Sequence, residues 1–142
     1  MVIAVIGENC TGKSTLADKL KVSFNAAVYT GKDYLRMAKS PTEAEAVFKN
    51  TLAQAVHGEN LIYIISESEH LKLLPEKSFK ILVTAGLDII KERFAVRMHG
   101  TLPPPVAVML EKNHGKFDKI DCDFHYENAD QYVALEEKIR SF

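Results

Sequence analysis

The chain has 142 residues, which is enough for one domain with a single hydrophobic core. Hydrophobic residues make up 46% and charged residues 26%, as in an ordinary globular protein, and the formal net charge of −1 argues against a nucleic-acid partner. No apolar run reaches the ~18 residues of a membrane span, and we expect no signal peptide because the first residues predict a core strand. The two cysteines, Cys10 and Cys122, are expected to be free thiols. We therefore expect one cytoplasmic domain over residues 1–142, monomeric or homodimeric and without a membrane partner.

A loop of defined spacing follows the first apolar stretch. Val2–Ile6 predicts a strand buried on both faces, and an amphipathic run begins a few residues later. Between them lies Gly-x-x-x-x-Gly-Lys-Ser, which in this context predicts a P-loop (Walker A) whose backbone N–H groups surround a phosphate. Lys13 is expected to reach the β- and γ-phosphates, and the Ser14 hydroxyl is expected to coordinate Mg²⁺. The predicted nucleotide-binding residues are Gly7, Glu8, Asn9, Cys10, Thr11, Gly12, Lys13, Ser14 and Thr15.

The first half of the chain alternates helices with short apolar strands. One helix begins at Ser40, where the order Ser-Pro-Thr-Glu places a capping residue, a proline at the first helical position and a glutamate at N3. Its predicted buried stripe is Ala44, Val47, Phe48, Leu52, Ala55 and Val56. Helices are predicted over residues 13–24, 34–39 and 41–57, and strands over residues 26–30 and 61–65.

The second half continues the alternation. In its first helix, Ile89, Ile90 and Phe94 are predicted to face the core. Residues 99–118 interrupt the pattern and hold one short predicted helix. The alternation predicts a parallel sheet with helices on both faces and a ligand at the carboxyl ends of the strands. Strands are predicted over residues 79–84 and 122–126, and helices over residues 88–98, 106–114 and 129–142.

Three further stretches carry information beyond the P-loop. They are Lys-Asp-Tyr-Leu-Arg at residues 32–36, Glu-Arg-Phe-Ala-Val-Arg at residues 92–97, and Cys-Asp-Phe-His-Tyr-Glu-Asn at residues 122–128. With the P-loop, they make the chain similar to small P-loop kinases of the nucleoside-monophosphate kinase and shikimate kinase type. The resemblance implies a three-layer α/β/α P-loop NTPase fold with a five-stranded parallel sheet in the order 2-3-1-4-5. It also implies a short lid at about residues 99–118, and ATP and Mg²⁺ as ligands.

Two residues of the stretch at residues 32–36 are candidates for binding the phosphoryl acceptor. Asp33 could orient an acceptor hydroxyl or hold a metal-bound water, or it could be a plain helix cap. Arg36 could clamp an anionic acceptor with two hydrogen bonds, or it could be a solvated helix residue. Glu67 follows the third strand and could hold Mg²⁺ or its water, or it could be an exposed turn residue.

Two arginines of the stretch at residues 92–97 are candidates for contacting the phosphates. Arg93 and Arg97 are four residues apart, so a helix places both on one face. Phosphoryl transfer requires positive charge around the transferring group, which makes both of them candidate catalytic residues together with Lys13. The alternative is that both arginines are solvated. Lys112 and Lys116, inside the predicted lid, are expected to be solvated.

The motifs of the related kinases are only partly present. The Asp-x-Asp of shikimate kinases after the second strand is absent, and Ser-Glu-Ser at residues 66–68 replaces the Asp-Gly-Pro type of sequence after the third. The lid also lacks an Arg-rich or Cys-rich pattern. We therefore predict an ATP-dependent phosphotransferase with a small, anionic acceptor of unknown identity. The alternatives are an ATP-binding regulatory module and an NTPase without an acceptor. The chain lacks the Asn-Lys-x-Asp sequence that would indicate a GTPase.

Overall fold

The computed structural model describes residues 1–142 and has a parallel five-stranded sheet at its centre. The strands are β1 (Val2–Ile6), β2 (Ala27–Thr30), β3 (Leu61–Ile65), β4 (Ser78–Val83) and β5 (Phe124–Tyr126). The α-helices are α1 (Lys13–Phe24), α2 (Pro41–Ala55), α3 (Leu87–Arg97), α4 (Pro104–Asn113) and α5 (Tyr132–Arg140). The strand order is β2-β3-β1-β4-β5, and every neighbouring pair is parallel. The predicted α/β class and the predicted strand order are confirmed.

Helices cover both faces of the sheet, which explains why β1 and β3 are buried at every position. Side chains of β1 alternate between two buried clusters, because successive residues of a strand point to opposite faces. On one face α1 and α5 contribute Leu20 and Leu135, which are fully buried. On the other face α2 contributes Phe48 and Leu52. The protein is therefore a three-layer α/β/α structure.

The helix boundaries depart from the prediction mainly where short 3₁₀ turns replace α-helix. The predicted helix over residues 34–39 is a 3₁₀ turn, Asp33–Met37. Asp33 does not cap it; its Oδ2 instead accepts a hydrogen bond from the Thr30 N–H at 2.9 Å. A second 3₁₀ turn, Ala129–Gln131, precedes α5. The predicted start of α2 is confirmed, because Ser40 Oγ accepts the Glu43 N–H at 3.2 Å.

Two of the predicted core residues are exposed. Val47 lies beside the buried stripe of α2, which is narrower than predicted. Ile89 is exposed because α3 packs through Ile90, the one buried residue of that helix. Both predictions were wrong for the same reason: the apolar residues of the two helices span a wider arc than each helix buries.

The segment predicted as a lid is attached to the rest of the protein at two places. α4 packs against α3, and its Leu110 is buried in a small cluster with Cys10 and Ile90. After α4 the chain turns at Gly115, and Phe117, only 2% exposed, enters the α2 side of the core. Burial at these two positions fixes the carboxyl-terminal half of the segment. None of the helices combines the length and the hydropathy of a membrane-spanning helix.

Candidate active site

The P-loop leaves β1 at the most crowded point of the sheet. The Gly7 N–H donates to the Ile65 carbonyl at 3.1 Å, and a Cβ on Gly7 would lie 2.4 Å from the Val83 carbonyl oxygen. A glycine is therefore required where the loop passes between β3 and β4. Gly12, with a φ of 100°, turns the loop into α1. Cys10 also has a positive φ, 63°, and its side chain is buried against α3 and α4.

Lys13 is held inside the loop. It is 7% exposed, and its Nζ donates to the Glu8 carbonyl oxygen, which also accepts the Thr11 hydroxyl at 2.8 Å. The pKa of Lys13 is lowered from 10.5 to about 8, mainly by burial and also by the positive charges of Lys116 and Arg97, while Cys10 and Glu8 oppose the shift. An ammonium group in this position forms no ion pair with a carboxylate and would gain a strong counter-charge from a bound phosphate.

A small cavity of about 130 Å³ lies directly over the loop. Its lining includes Lys13, Ser14 and Arg97, together with Thr30 at the end of β2 and Ser66 after β3. The first three were predicted site residues, and the structure brings them together. Thr30 and Ser66 were missed, although both follow strands whose carboxyl ends lie beside the P-loop, a position that could have identified them. We call this space the phosphate cavity.

The phosphate cavity shares Cys10, Gly12, Thr15 and Arg97 with a larger, nucleotide-sized cavity of about 640 Å³. Its walls are the P-loop and α1, α3, and the turn around Asn128. Arg93 lies in the wall, and its Nη1 donates to the Cys10 carbonyl oxygen at 3.0 Å. That hydrogen bond fixes the guanidinium group at the junction of loop and cavity, and Arg97 lines both spaces. The volume is in the usual range for small-molecule sites.

A third cavity, of about 700 Å³, shares Arg93 and Asn128 with the second and lies under the segment after α4. Two polar side chains meet in its lining, where the His114 Nδ1 is 3.1 Å from the Glu8 Oε1. The Glu8 carboxylate therefore contacts the segment after α4, while its carbonyl oxygen holds Lys13. Sequence reasoning had assigned Glu8 to the nucleotide and had not assigned His114 at all.

The structure places three of the predicted acceptor and metal residues outside the lining of these cavities. Asp33 is held at the rim by Thr30, and Arg36 is exposed on the 3₁₀ turn. Glu67 is 59% exposed, and its Oε2 is 4.0 Å from the Nζ of Lys116. The side chain of Lys116 is 28% exposed and the residue as a whole is exposed, so it keeps contact with solvent as expected.

The donor set fits Mg²⁺ only as a partner of bound phosphates. The lining of the phosphate cavity contains the Ser14, Thr30 and Ser66 hydroxyls but no carboxylate. No group of three or more His, Cys, Asp or Glu residues could hold a metal ion. Mg²⁺ usually keeps several waters and takes one or two protein ligands beside the phosphates, which this set permits.

Comparison with known proteins identifies the fold and no closer relationship. No protein-family model matches the chain, and no curated protein sequence matches it. Among solved structures, an uncharacterized protein from Eubacterium ventriosum has a TM-score of 0.72 at 15% identity, covering 100% of this chain and 99% of that one. Shikimate kinase from Bacteroides thetaiotaomicron has a TM-score of 0.63 at 12% identity, covering 99% and 96%. Deoxyadenosine kinase from M. mycoides has a TM-score of 0.56 at 14% identity, covering 99% of both chains. The predicted resemblance to small P-loop kinases is confirmed at the level of the fold.

Proposed function

We propose that this protein is an ATP-dependent phosphotransferase that moves the γ-phosphate to a small, anionic acceptor. The observation that carries the proposal is the wall that the two cavities share around the P-loop and Arg97. The nucleotide-sized cavity lies on one side of that wall, and the phosphate cavity, lined by Lys13, Ser14, Thr30 and Ser66, is next to it. That order of groups suits a donor nucleotide, a transferring group and an acceptor in a line. The kinases with similar structures support it through their fold alone.

In this proposal the chain contributes mainly position and positive charge. The base and ribose occupy the larger cavity, and the triphosphate follows the backbone N–H groups of the P-loop. Lys13 and Arg97 contact the γ-phosphate most strongly when charge develops on it in the transition state, and Arg93 holds the loop and the nucleotide together. Mg²⁺, when bound through Ser14, would neutralise part of the phosphate charge.

The acceptor is proposed to bind beyond the γ-phosphate, at the ends of β2 and β3. Asp33 lies there beside Thr30 and would orient the hydroxyl that attacks the γ-phosphorus. Arg36→Ala should then raise the KM for the acceptor and leave the affinity for ATP nearly unchanged. A fall in ATP affinity without a change in acceptor KM would place Arg36 at the nucleotide instead.

The experiment that tests the function measures ADP release from Mg-ATP with a panel of hydroxy acids, nucleosides and nucleotides. Release that depends on one class of acceptor supports the kinase, and Lys13→Ala should abolish it. Release without an acceptor indicates an NTPase. Tight binding of ATP without turnover indicates a regulatory module, which the lack of a carboxylate in the phosphate-cavity lining favours.

A further inference from the structure

One stretch of the chain crosses the carboxyl ends of two adjacent strands. β1 and β3 are paired in parallel, so Glu8 after β1 and Glu67 after β3 lie at the same edge of the sheet. The stretch after α4 contacts both of them, through His114 to Glu8 at 3.1 Å and through Lys116 to Glu67 at 4.0 Å. It therefore contacts both the phosphate loop after β1 and the turn after β3.

Lys116 is held in place by its neighbours. Phe117, the next residue, is buried in the core, which fixes the backbone at this point. The Lys116 Nζ lies 5.1 Å from the centre of the Phe117 ring, a favourable position for a cation. The charge of Lys116 is also felt by Lys13, whose pKa it lowers. Lys116 thus places a positive charge close enough to Lys13 to affect its titration, on a backbone that Phe117 holds in position.

The partner of Lys116 is easily replaced. Glu67 is 59% exposed, and the pair is 4.0 Å apart, at the limit of an ion pair. Exposed pairs of this kind contribute little to stability and are screened by salt. Glu67 directly follows Ser66, which lines the phosphate cavity. The pair is outside that lining but next to the end of β3, where the acceptor is proposed to bind.

We propose that Lys116 binds the anionic group of the phosphoryl acceptor, and that this group takes the place of the Glu67 carboxylate. This inference rests on the proposed function and names a residue that selects the acceptor. The shared chemistry is a carboxylate or phosphate close to the hydroxyl that accepts the phosphoryl group. A neutral alcohol cannot replace Glu67, because Lys116 would then lose its counter-charge. Glu67 is accordingly an exchangeable partner of Lys116 and not a ligand of Mg²⁺.

The test compares acidic acceptors with neutral ones of similar shape. Glycerate is paired with glycerol, and nucleoside monophosphates with nucleosides; the two pairs separate a carboxylate from a phosphate source. Lys116→Ala should raise the KM for the acidic member about 10- to 100-fold, leave the affinity for ATP unchanged, and remove the preference over the neutral member. Lys116→Arg should restore most of the preference. Lys119→Ala, at an exposed lysine three residues later, is the matched control and should behave as the wild type.

Glu67→Gln separates the two roles of that residue. An exchangeable partner predicts an acceptor KM that is unchanged or lowered by up to about fivefold, with the same requirement for Mg²⁺. A lower kcat with a raised Mg²⁺ requirement would show that Glu67 holds the metal and would overturn the inference. An unchanged acceptor KM in Lys116→Ala, or a wild type that prefers neutral alcohols, would also overturn it while leaving the kinase function intact.

Calorimetry keeps the two proposals distinguishable. If the wild type transfers phosphate to no compound of the panel, the proposed function fails. Binding of glycerate and of a nucleoside monophosphate is then measured in the presence of Mg²⁺ and a non-hydrolysable ATP analogue. Binding that is lost in Lys116→Ala and kept in Lys119→Ala supports the Lys116 site without turnover. No binding of either anion, or equal binding in both variants, overturns it.

Discussion

Replacement of Lys13 by methionine, which keeps the length of the side chain and removes its charge, should separate stability from function. Burial lowers the pKa of Lys13 from 10.5 to about 8, and a change of this size corresponds to about 3 kcal/mol against the charged form at neutral pH. The variant also loses the hydrogen bond to the Glu8 carbonyl oxygen, which is worth about 1.5–3 kcal/mol as a charged bond. The difference leaves Lys13→Met more stable by about 1 kcal/mol at pH 7, or about 3 °C in Tm.

The pH dependence of that difference has a definite sign. Below pH 8 Lys13 is charged in both the folded and the unfolded wild type, so the cost of burying the charge is constant. Between pH 8 and 10.5 the unfolded state binds more protons, so the wild type gains stability relative to the variant as the pH rises. By pH 10 the wild type should be the more stable of the two, by about 1–2 kcal/mol.

The assay is urea denaturation of both proteins without nucleotide at pH 7, 8, 9 and 10. The variant should also lose ATP binding at every pH, because the phosphate no longer meets its counter-charge. A stability difference that stays constant across this range would show that Lys13 titrates as in the unfolded chain. Burial would then not lower the pKa of Lys13, even if ATP binding were lost.

The remaining predictions concern the loop, the core and the phosphate contacts. In a urea titration, Gly7→Ala should lower the free energy of unfolding by about 3 kcal/mol or more, because its Cβ would overlap a β4 carbonyl. Gly86→Ala is the control: a Cβ at this position has open space, so the variant should lose less than about 1 kcal/mol. Phe48→Ala should cost about 3–5 kcal/mol by thermal denaturation, since its ring is fully buried against other rings. Arg97→Ala should lower kcat about 100-fold with little change in Tm, and full activity would leave it a solvated residue. Arg140→Ala, near the far end of α1, is its control and should keep the wild-type kcat.

The parts of the molecule that could be predicted from sequence are those encoded locally. The strand before the P-loop is apolar at every position because helices cover both of its faces. The spacing of the motif predicted Gly7, although the contact that requires a glycine there is with the Val83 carbonyl of β4. The start of α2 was encoded in four residues, and the structure shows the predicted capping bond at Ser40. The hydrophobic patterns of the helices were less informative about the width of the buried face, since Val47 and Ile89 are apolar and yet exposed.

The parts that could not be predicted depend on contacts between distant residues. Glu8 and His114 are 106 positions apart, and no periodicity in the sequence connects them. Likewise, the position of Lys116 depends on the burial of Phe117 in the α2 side of the core. That burial could not be predicted, because residues 99–118 have no regular hydrophobic pattern. Thr30 and Ser66 were accessible to reasoning from strand order, but serine and threonine at strand ends are too common to be noticed singly.

The contrast between the two thiols gives the wild-type chain a built-in attachment point. Cys10 is buried behind α3 and α4, whereas Cys122 is exposed and lies in the wall of the cavity that also holds His114 and Arg93. A maleimide dye should therefore react at one position without any prior mutation. Its fluorescence would report changes around this cavity in real time, so that stopped-flow measurements could follow ligand arrival on the unaltered amino-acid sequence.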